Sequence, residues 1–327
     1  VSLDRRQLIA AGIAGAGVGT TTAAAAQAVA PPDPTETVRL WPDGAPGGEG
    51  VTVTPVVVER STDPAYRDRF AQYTTDPLLT VVRPARPNGA SLLLIPGGGY
   101  RWAVVDKEGL DVARVFAAAG VTCYVLRYRL PADGWAAGPD TPLQDAQRAL
   151  RLVRARAAAE GLAPTRVAVL GASAGGHLAG LLAARTDATY AAVDSADALP
   201  HRPDLTVLLY PVVTLSDPFA HAGSRAQLLG PAPTDAAIAA WSLEQMDWRG
   251  AAPTILIHAL DDEPVPPENS LMLLETLRRN EVAAEAHLFH EGGHGFGVRL
   301  IAGKPAEAWP ALVLGFGQRQ GWIGDPG

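Results

Sequence analysis

The sequence predicts an α/β fold, a mostly parallel central sheet with helices on both faces. Three observations carry this. Short β-branched or aliphatic runs alternate with helical patterns, no repeat or composition break interrupts the chain from residue 35 onward, and one apolar run leads through a glycine-flanked serine straight into a helix-compatible stretch. Thr37 to Leu40 and Leu78 to Arg83 are expected as antiparallel edge strands. Ser91 to Ile95 follows as a core strand, then a helix over Leu110 to Ala119, a strand over Val121 to Tyr128 and a helix over Pro142 to Glu160. Next come a strand over Arg166 to Leu170, a helix over Ser173 to Arg185 and a strand over Leu205 to Tyr210. The strand pattern lapses across 211–250, a proline-punctuated segment carrying His221, Trp241, Met246 and Trp248. It is expected as an insertion over the strands' carboxyl ends, where open α/β sheets bind ligands. A strand over Thr254 to Ala259, a helix over Asn269 to Arg279 and a strand over Ala284 to Phe289 complete the pattern.

The 327 residues suffice for one large α/β domain, taken as 38–323. No run of about twenty apolar residues free of turn formers is present to span a bilayer. The 27 basic and 34 acidic side chains leave a net charge of −7, which argues against a nucleic-acid partner. Cys123 is the sole cysteine and falls in an apolar strand, so neither an internal disulfide nor a thiolate metal cluster is available. Residues 1–28 read as a Tat-type export signal: twin Arg5–Arg6 precede a weakly hydrophobic Ala/Gly stretch and a small-residue cleavage site at Ala26-Gln27-Ala28. Gly12, Gly15, Gly17 and Gly19 would each weaken an ordinary helix there by about 1 kcal/mol. Residues 29–37, with Pro31-Pro32-Asp33-Pro34, are expected as a stiff linker, and the protein is expected in the periplasm or outside the cell.

Gly171-Ala172-Ser173-Ala174-Gly175 is a G-x-S-x-G pentapeptide placed between strand and helix. Such an elbow strains the serine backbone and exposes its hydroxyl above the sheet. An activated serine needs a base, and the base an orienting carboxylate. Both follow in order: the acidic turn Leu260-Asp261-Asp262-Glu263-Pro264-Val265-Pro266, then Glu291-Gly292-Gly293-His294-Gly295-Phe296-Gly297. Nucleophile, acid, histidine is the order of α/β-hydrolases. Asp261, Asp262 and Glu263 compete for the carboxylate role, and Asp262, three residues before Val265-Pro266, is favoured. The oxyanion donors are assigned to Gly98 and Gly99 of Ile95-Pro96-Gly97-Gly98-Gly99-Tyr100, with the backbone of Ala174. That glycine loop lacks the lysine and the spacing of a phosphate cradle. His177, His201, His221, His258, His287, His290 and His294 include no H-E-x-x-H, which gives no basis for a catalytic metal.

PGGGY at 96–100, YRLP at 128–131, PLQDAQRALRLVR at 142–154, GASAGGHLA at 171–179, DDEPVPPENS at 261–270 and GGHGFG at 292–297 together resemble bacterial α/β-hydrolases of the acetylxylan and feruloyl esterase type. The resemblance runs from about residue 38 to 323 and includes LWPDGAPG at 40–47. It implies a cofactor-free serine esterase taking acetyl or feruloyl groups off plant cell-wall xylan fragments, with Ser173 as nucleophile, Asp262 as orienting acid and His294 as base. Pro96 replaces the histidine that heads the related HGGG motif, which makes the hormone-sensitive-lipase group a poorer match. A sugar ester needs a flat apolar platform, so Tyr100, Trp102 and Trp135 are the expected substrate-binding residues. Two other classes share the scaffold. A general short-chain carboxylesterase would differ only in its pocket, and a serine peptidase of the prolyl oligopeptidase kind usually carries a large extra domain that this length does not hold.

Overall fold

Ser91–Ile95 and Val167–Ala172 are buried along their whole length, as strands covered on both faces must be. In the computed structural model, which describes residues 29–324, they lie side by side at the centre of the main sheet. In chain order the strands are β1 (Thr37–Arg39), β2 (Val56–Glu59), β3 (Arg69–Gln72), β4 (Leu78–Val82), β5 (Ser91–Ile95), β6 (Thr122–Arg127), β7 (Val167–Ala172), β8 (Leu205–Leu209), β9 (Thr254–Ala259) and β10 (Ala284–Phe289). The helices are α1 (Asp111–Ala118), α2 (Thr141–Ala159), α3 (Ala174–Ala184), α4 (Ala222–Leu229), α5 (Asp235–Trp241), α6 (Glu268–Arg279) and α7 (Trp309–Arg319). Eight strands form the sheet in the order β1-β4-β6-β5-β7-β8-β9-β10. Only the β1–β4 and β4–β6 pairings are antiparallel.

Side-chain alternation along β5 feeds two cores. Leu93 and Ile95 join α2, α3 and α6 through Leu150, Leu178 and Leu273, while Leu92 and Leu94 join α1 and α7 through Phe116, Trp309 and Val313. Cys123 is fully buried in the second core, and that burial pushes its thiol pKa up.

Several features differ from the expectation. β4 is an inner strand, because Leu79 and Val81 are buried between β1 and β6; of the two strands expected at an edge, β1 alone lies there. β2 and β3 make a separate two-stranded sheet, anchored to the body by the Ala71–Ala103 bridge. Of the stretch expected as a stiff linker, Asp33 is clamped to the body by Arg67 at 2.5 Å and Arg69 at 2.8 Å, and Thr37 already begins β1. The signal expected over residues 1–28 lies outside the described residues. Among the described residues no helix is long and apolar enough to cross a membrane.

Helix α2 explains the arginine-rich run 142–154. Asp145 accepts from the fully buried Arg129 and from Trp41 Nε1 at 2.8 Å, Arg148 reaches Asp194 and Asp197, and Arg154 reaches Asp204. One face of the helix thereby fixes the long connection between α3 and β8.

Candidate active site

The turn after β7 cannot be relaxed. Ser173 sits at φ 55°, ψ −122°, in the left-handed region that side chains avoid. The residues two before and two after it are glycines because there is no room for more: a Cβ on Gly171 would lie 2.1 Å from Gly175 O, and one on Gly175 2.1 Å from Ile95 O. The backbone is tied on both sides, with Ser173 N–H donating to Leu209 O at 3.0 Å and Val212 N–H donating to Ser173 O at 3.0 Å. The strained serine is thus held by β8 and its exit loop rather than by its own preference.

The loops after β9 and β10 bring in the partners. Ser173 Oγ–H donates to His294 Nε2 at 2.9 Å, and His294 Nδ1–H donates to Asp262 Oδ2 at 2.8 Å. Of the three adjacent acids it is Asp262 that reaches the imidazole. It is 3% exposed, whereas exposed Asp261 accepts the Gly293 N–H at 2.8 Å and braces the histidine loop. Burial acts to raise the Asp262 pKa, but hydrogen bonds from His258 and His294 outweigh it and hold the carboxyl below its usual value. His258 is a second histidine on the same oxygen: its Nε2 lies 3.2 Å from Asp262 Oδ2 and 2.9 Å from Val265 O, while Ser270 Oγ–H donates to its Nδ1 at 2.7 Å.

Opposite the serine, Gly98 adopts φ 130° and Gly99 φ 65°. A Cβ on Gly98 would lie 2.3 Å from the Trp102 carbonyl oxygen. Among the described residues the N–H groups of Gly98, Gly99 and Ala174 have no protein acceptor, so all three are free to receive a developing oxyanion. Tyr128 Oη–H donates to Pro96 O at 2.8 Å, and Gly97 N–H donates to Glu108 Oε2 at 2.9 Å. Glu108 also accepts Tyr210 Oη–H at 3.1 Å, and that phenol in turn accepts Gly297 N–H at 3.1 Å. One buried carboxylate therefore links the glycine loop to the histidine loop. Ser173, His294, Gly98, Gly99, Trp102 and His221 line one open pocket of about 420 Å³.

The structure places two expected substrate-binding residues elsewhere. Tyr100 is fully buried, its Oη 2.7 Å from His177 Nδ1, because its left-handed φ of 58° turns the ring inward. His177 donates its Nε2–H to Trp241 O at 2.7 Å, and burial depresses its pKa to about 4, so it is a neutral core residue. Trp135 is also turned into the body, with the Arg129 guanidinium 4.6 Å from its ring centroid. Trp102 does reach the pocket, stacked near Phe70 at 4.9 Å. Among the described residues no three His, Cys, Asp or Glu side chains converge as a metal site. His221, Glu108, Tyr210 and His258 were not singled out from the sequence as parts of the site. Only His221 left a local trace there, a histidine three residues before Ser224 at a helix start.

A strained serine, an imidazole and a buried carboxylate in one hydrogen-bonded line at the carboxyl ends of parallel strands define the class: the chain has the α/β-hydrolase fold. The chain belongs to the prolyl oligopeptidase family, which it matches over residues 139–304. It is 30% identical to a solved acetyl ester–xyloside bifunctional hydrolase from Caldicellulosiruptor lactoaceticus, with 88% of this chain and 97% of that one covered and a TM-score of 0.69. It is 32% identical over 207 residues to endo-1,4-β-xylanase B of Butyrivibrio fibrisolvens and 28% identical over 219 residues to an acetylxylan esterase of Xylanibacter ruminicola. Those alignments take in 63% and 65% of this chain but only 32% and 42% of the two relatives.

Proposed function

We propose that this protein is a serine carboxylic ester hydrolase that removes acetyl groups from xylan-derived and related plant cell-wall oligosaccharides. The observation that carries the reading is the Ser173–His294–Asp262 hydrogen-bonded line facing three free N–H donors across one pocket. The esterase relatives named above support the choice of ester over peptide, since fold and family membership alone leave the scissile bond open. In this mechanism His294 Nε2 takes the Ser173 proton as Oγ attacks the ester carbonyl, and the oxyanion forms against Gly98, Gly99 and Ala174. The protonated imidazole then gives its proton to the departing sugar oxygen. Water repeats the sequence on the acyl-enzyme, with His294 again the base. Asp262 holds the Nδ1–H tautomer throughout and stabilises the imidazolium.

The test is acetate release from acetylated xylo-oligosaccharides beside acetyl, butyryl and octanoyl nitrophenyl esters. Faster deacetylation of the oligosaccharide supports the reading; turnover of the nitrophenyl esters alone makes the protein a general short-chain carboxylesterase. Trp102, standing in the pocket, is the sugar platform in this reading. Trp102→Ala is expected to raise KM for the oligosaccharide about tenfold and more than KM for nitrophenyl acetate. Equal increases on both would remove the platform role. The proposal includes export through the Arg5–Arg6 leader. Replacing both arginines by lysine is expected to leave the enzyme in the cytoplasm, and an unchanged periplasmic fraction would refute a Tat route.

A further inference from the structure

The insertion contributes a histidine whose protonation is settled by its contacts. His221 caps the start of α4, where Ser224 N–H donates to its Nδ1 at 3.1 Å. A backbone N–H can only donate, so Nδ1 must be the acceptor and, in the neutral ring, the proton sits on Nε2. The Ser224 hydroxyl at 2.7 Å adds a second contact to the same nitrogen and fixes the ring plane. Among the described residues Nε2–H has no protein acceptor, and the ring lines the pocket that holds Ser173 and His294. A methyl group placed on Gly99 would come within 3.8 Å of His221 Cε1, so the imidazole overhangs the oxyanion loop. Burial, with His294 nearby, also lowers the His221 pKa, in the direction that favours the neutral ring.

The geometry points to His221 as a specificity-determining residue: its Nε2–H donates to an oxygen of the alcohol half of the ester, so that sugar esters are favoured over alkyl esters of the same size. This rests on the ester-hydrolase reading of the site. A fixed neutral donor suits a hydroxyl or ring oxygen, because an unmatched donor left against a CH₂ is unsatisfied once the substrate excludes water.

His221→Asn separates this role from the cap. Asparagine is among the strongest N-cap residues, so its side-chain oxygen keeps an acceptor for the Ser224 N–H, while its shorter side chain withdraws the donor from the pocket. A second variant, His221→Phe, keeps a ring and removes both donor and cap. The substrates are a monoacetylated methyl xyloside and cyclohexyl acetate, which place the ester on six-membered rings with and without oxygen acceptors. His221→Asn is expected to lose about tenfold more kcat/KM on the xyloside than on cyclohexyl acetate, with most of the difference in KM. His221→Phe is expected to show the same ratio together with a lower Tm. Equal losses on both esters would make His221 an oxyanion donor or a structural cap, and no loss on either would remove it from the site; both overturn the proposal. Failure of the underlying reading shows separately, as wild-type hydrolysis of cyclohexyl acetate that survives Ser173→Ala.

Discussion

Ser173→Ala is expected to lower kcat by about 10⁶-fold on every ester the enzyme accepts, leaving only the smaller acceleration that binding and the oxyanion donors supply by themselves. The size follows from the division of labour. Without Oγ no acyl-enzyme forms, and His294 has nothing to deprotonate but water held at the wrong place. The fold should tolerate the change: among the described residues the Ser173 side chain makes a single hydrogen bond, to His294, while its backbone stays pinned by Leu209 and Val212. Steady-state kinetics with nitrophenyl acetate, beside a thermal melt, checks both halves. Activity within tenfold of wild type at unchanged Tm would show that the nucleophile lies elsewhere.

Asp262→Asn is expected to cost about 10⁴-fold in kcat with KM little changed. The carboxylate accepts from three groups, His294 Nδ1–H, His258 Nε2–H and Val265 N–H, the last at 3.0 Å. An amide of the same shape has a single oxygen, so its NH₂ must face one of these donors. The relief open to His294 is to move its proton to Nε2, and that tautomer cannot take a proton from serine. Asp261→Ala is the control. Asp261 is exposed and braces the histidine loop through backbone donors, the Gly293 N–H foremost, so a loss of less than about tenfold is expected, a neutral-donor contact contributing about 1 kcal/mol. Comparable losses in the two variants would mean that the acidic turn acts through loop shape rather than through one carboxylate.

What the residues revealed in advance and what they hid follow one physical division. Strands β5 to β9 were legible because each is a short, largely β-branched or aliphatic run, β10 because Ala284, Ala286 and Leu288 alternate with Glu285 and His287, and the serine elbow because glycine is forced wherever a backbone comes as close as Ile95 O does to Gly175. Helix α7 was missed although Trp309, Val313 and Phe316 keep helical spacing, because Pro310, Gly315 and Gly317 read as breakers; Pro310 is tolerated in the first turn. Helices α4 and α5 run only eight and seven residues and bury few side chains, so they leave no apolar stripe to read. The site divided likewise. Ser173, Asp262 and His294 stand in motifs whose order carries meaning, whereas Glu108 sits in Asp106-Lys107-Glu108, which looks like a solvated charge run. A π-helical turn over Asp106–Leu110 buries Glu108, and a local anomaly of that kind has no sequence signature. Trp135 was misplaced for the converse reason. An aromatic in a loop looks available to ligand until its partner is known, and Arg129 lies more than one helical turn away in sequence.

The sheet order has a bearing on how the molecule acquires its chemistry. In the proposed mechanism the nucleophile and oxyanion loop belong to the central strands β7 and β5, but acid and base hang from β9 and β10, among the described residues the last two strands made and the last two on one flank. A chain leaving the ribosome can therefore complete its elbow, bury much of both cores and still be inert, because the imidazole arrives only when β10 docks in register on β9. On the proposed reading hydrolysis is gained late in folding, and the nascent protein stays silent toward esters until its outer strand is in place.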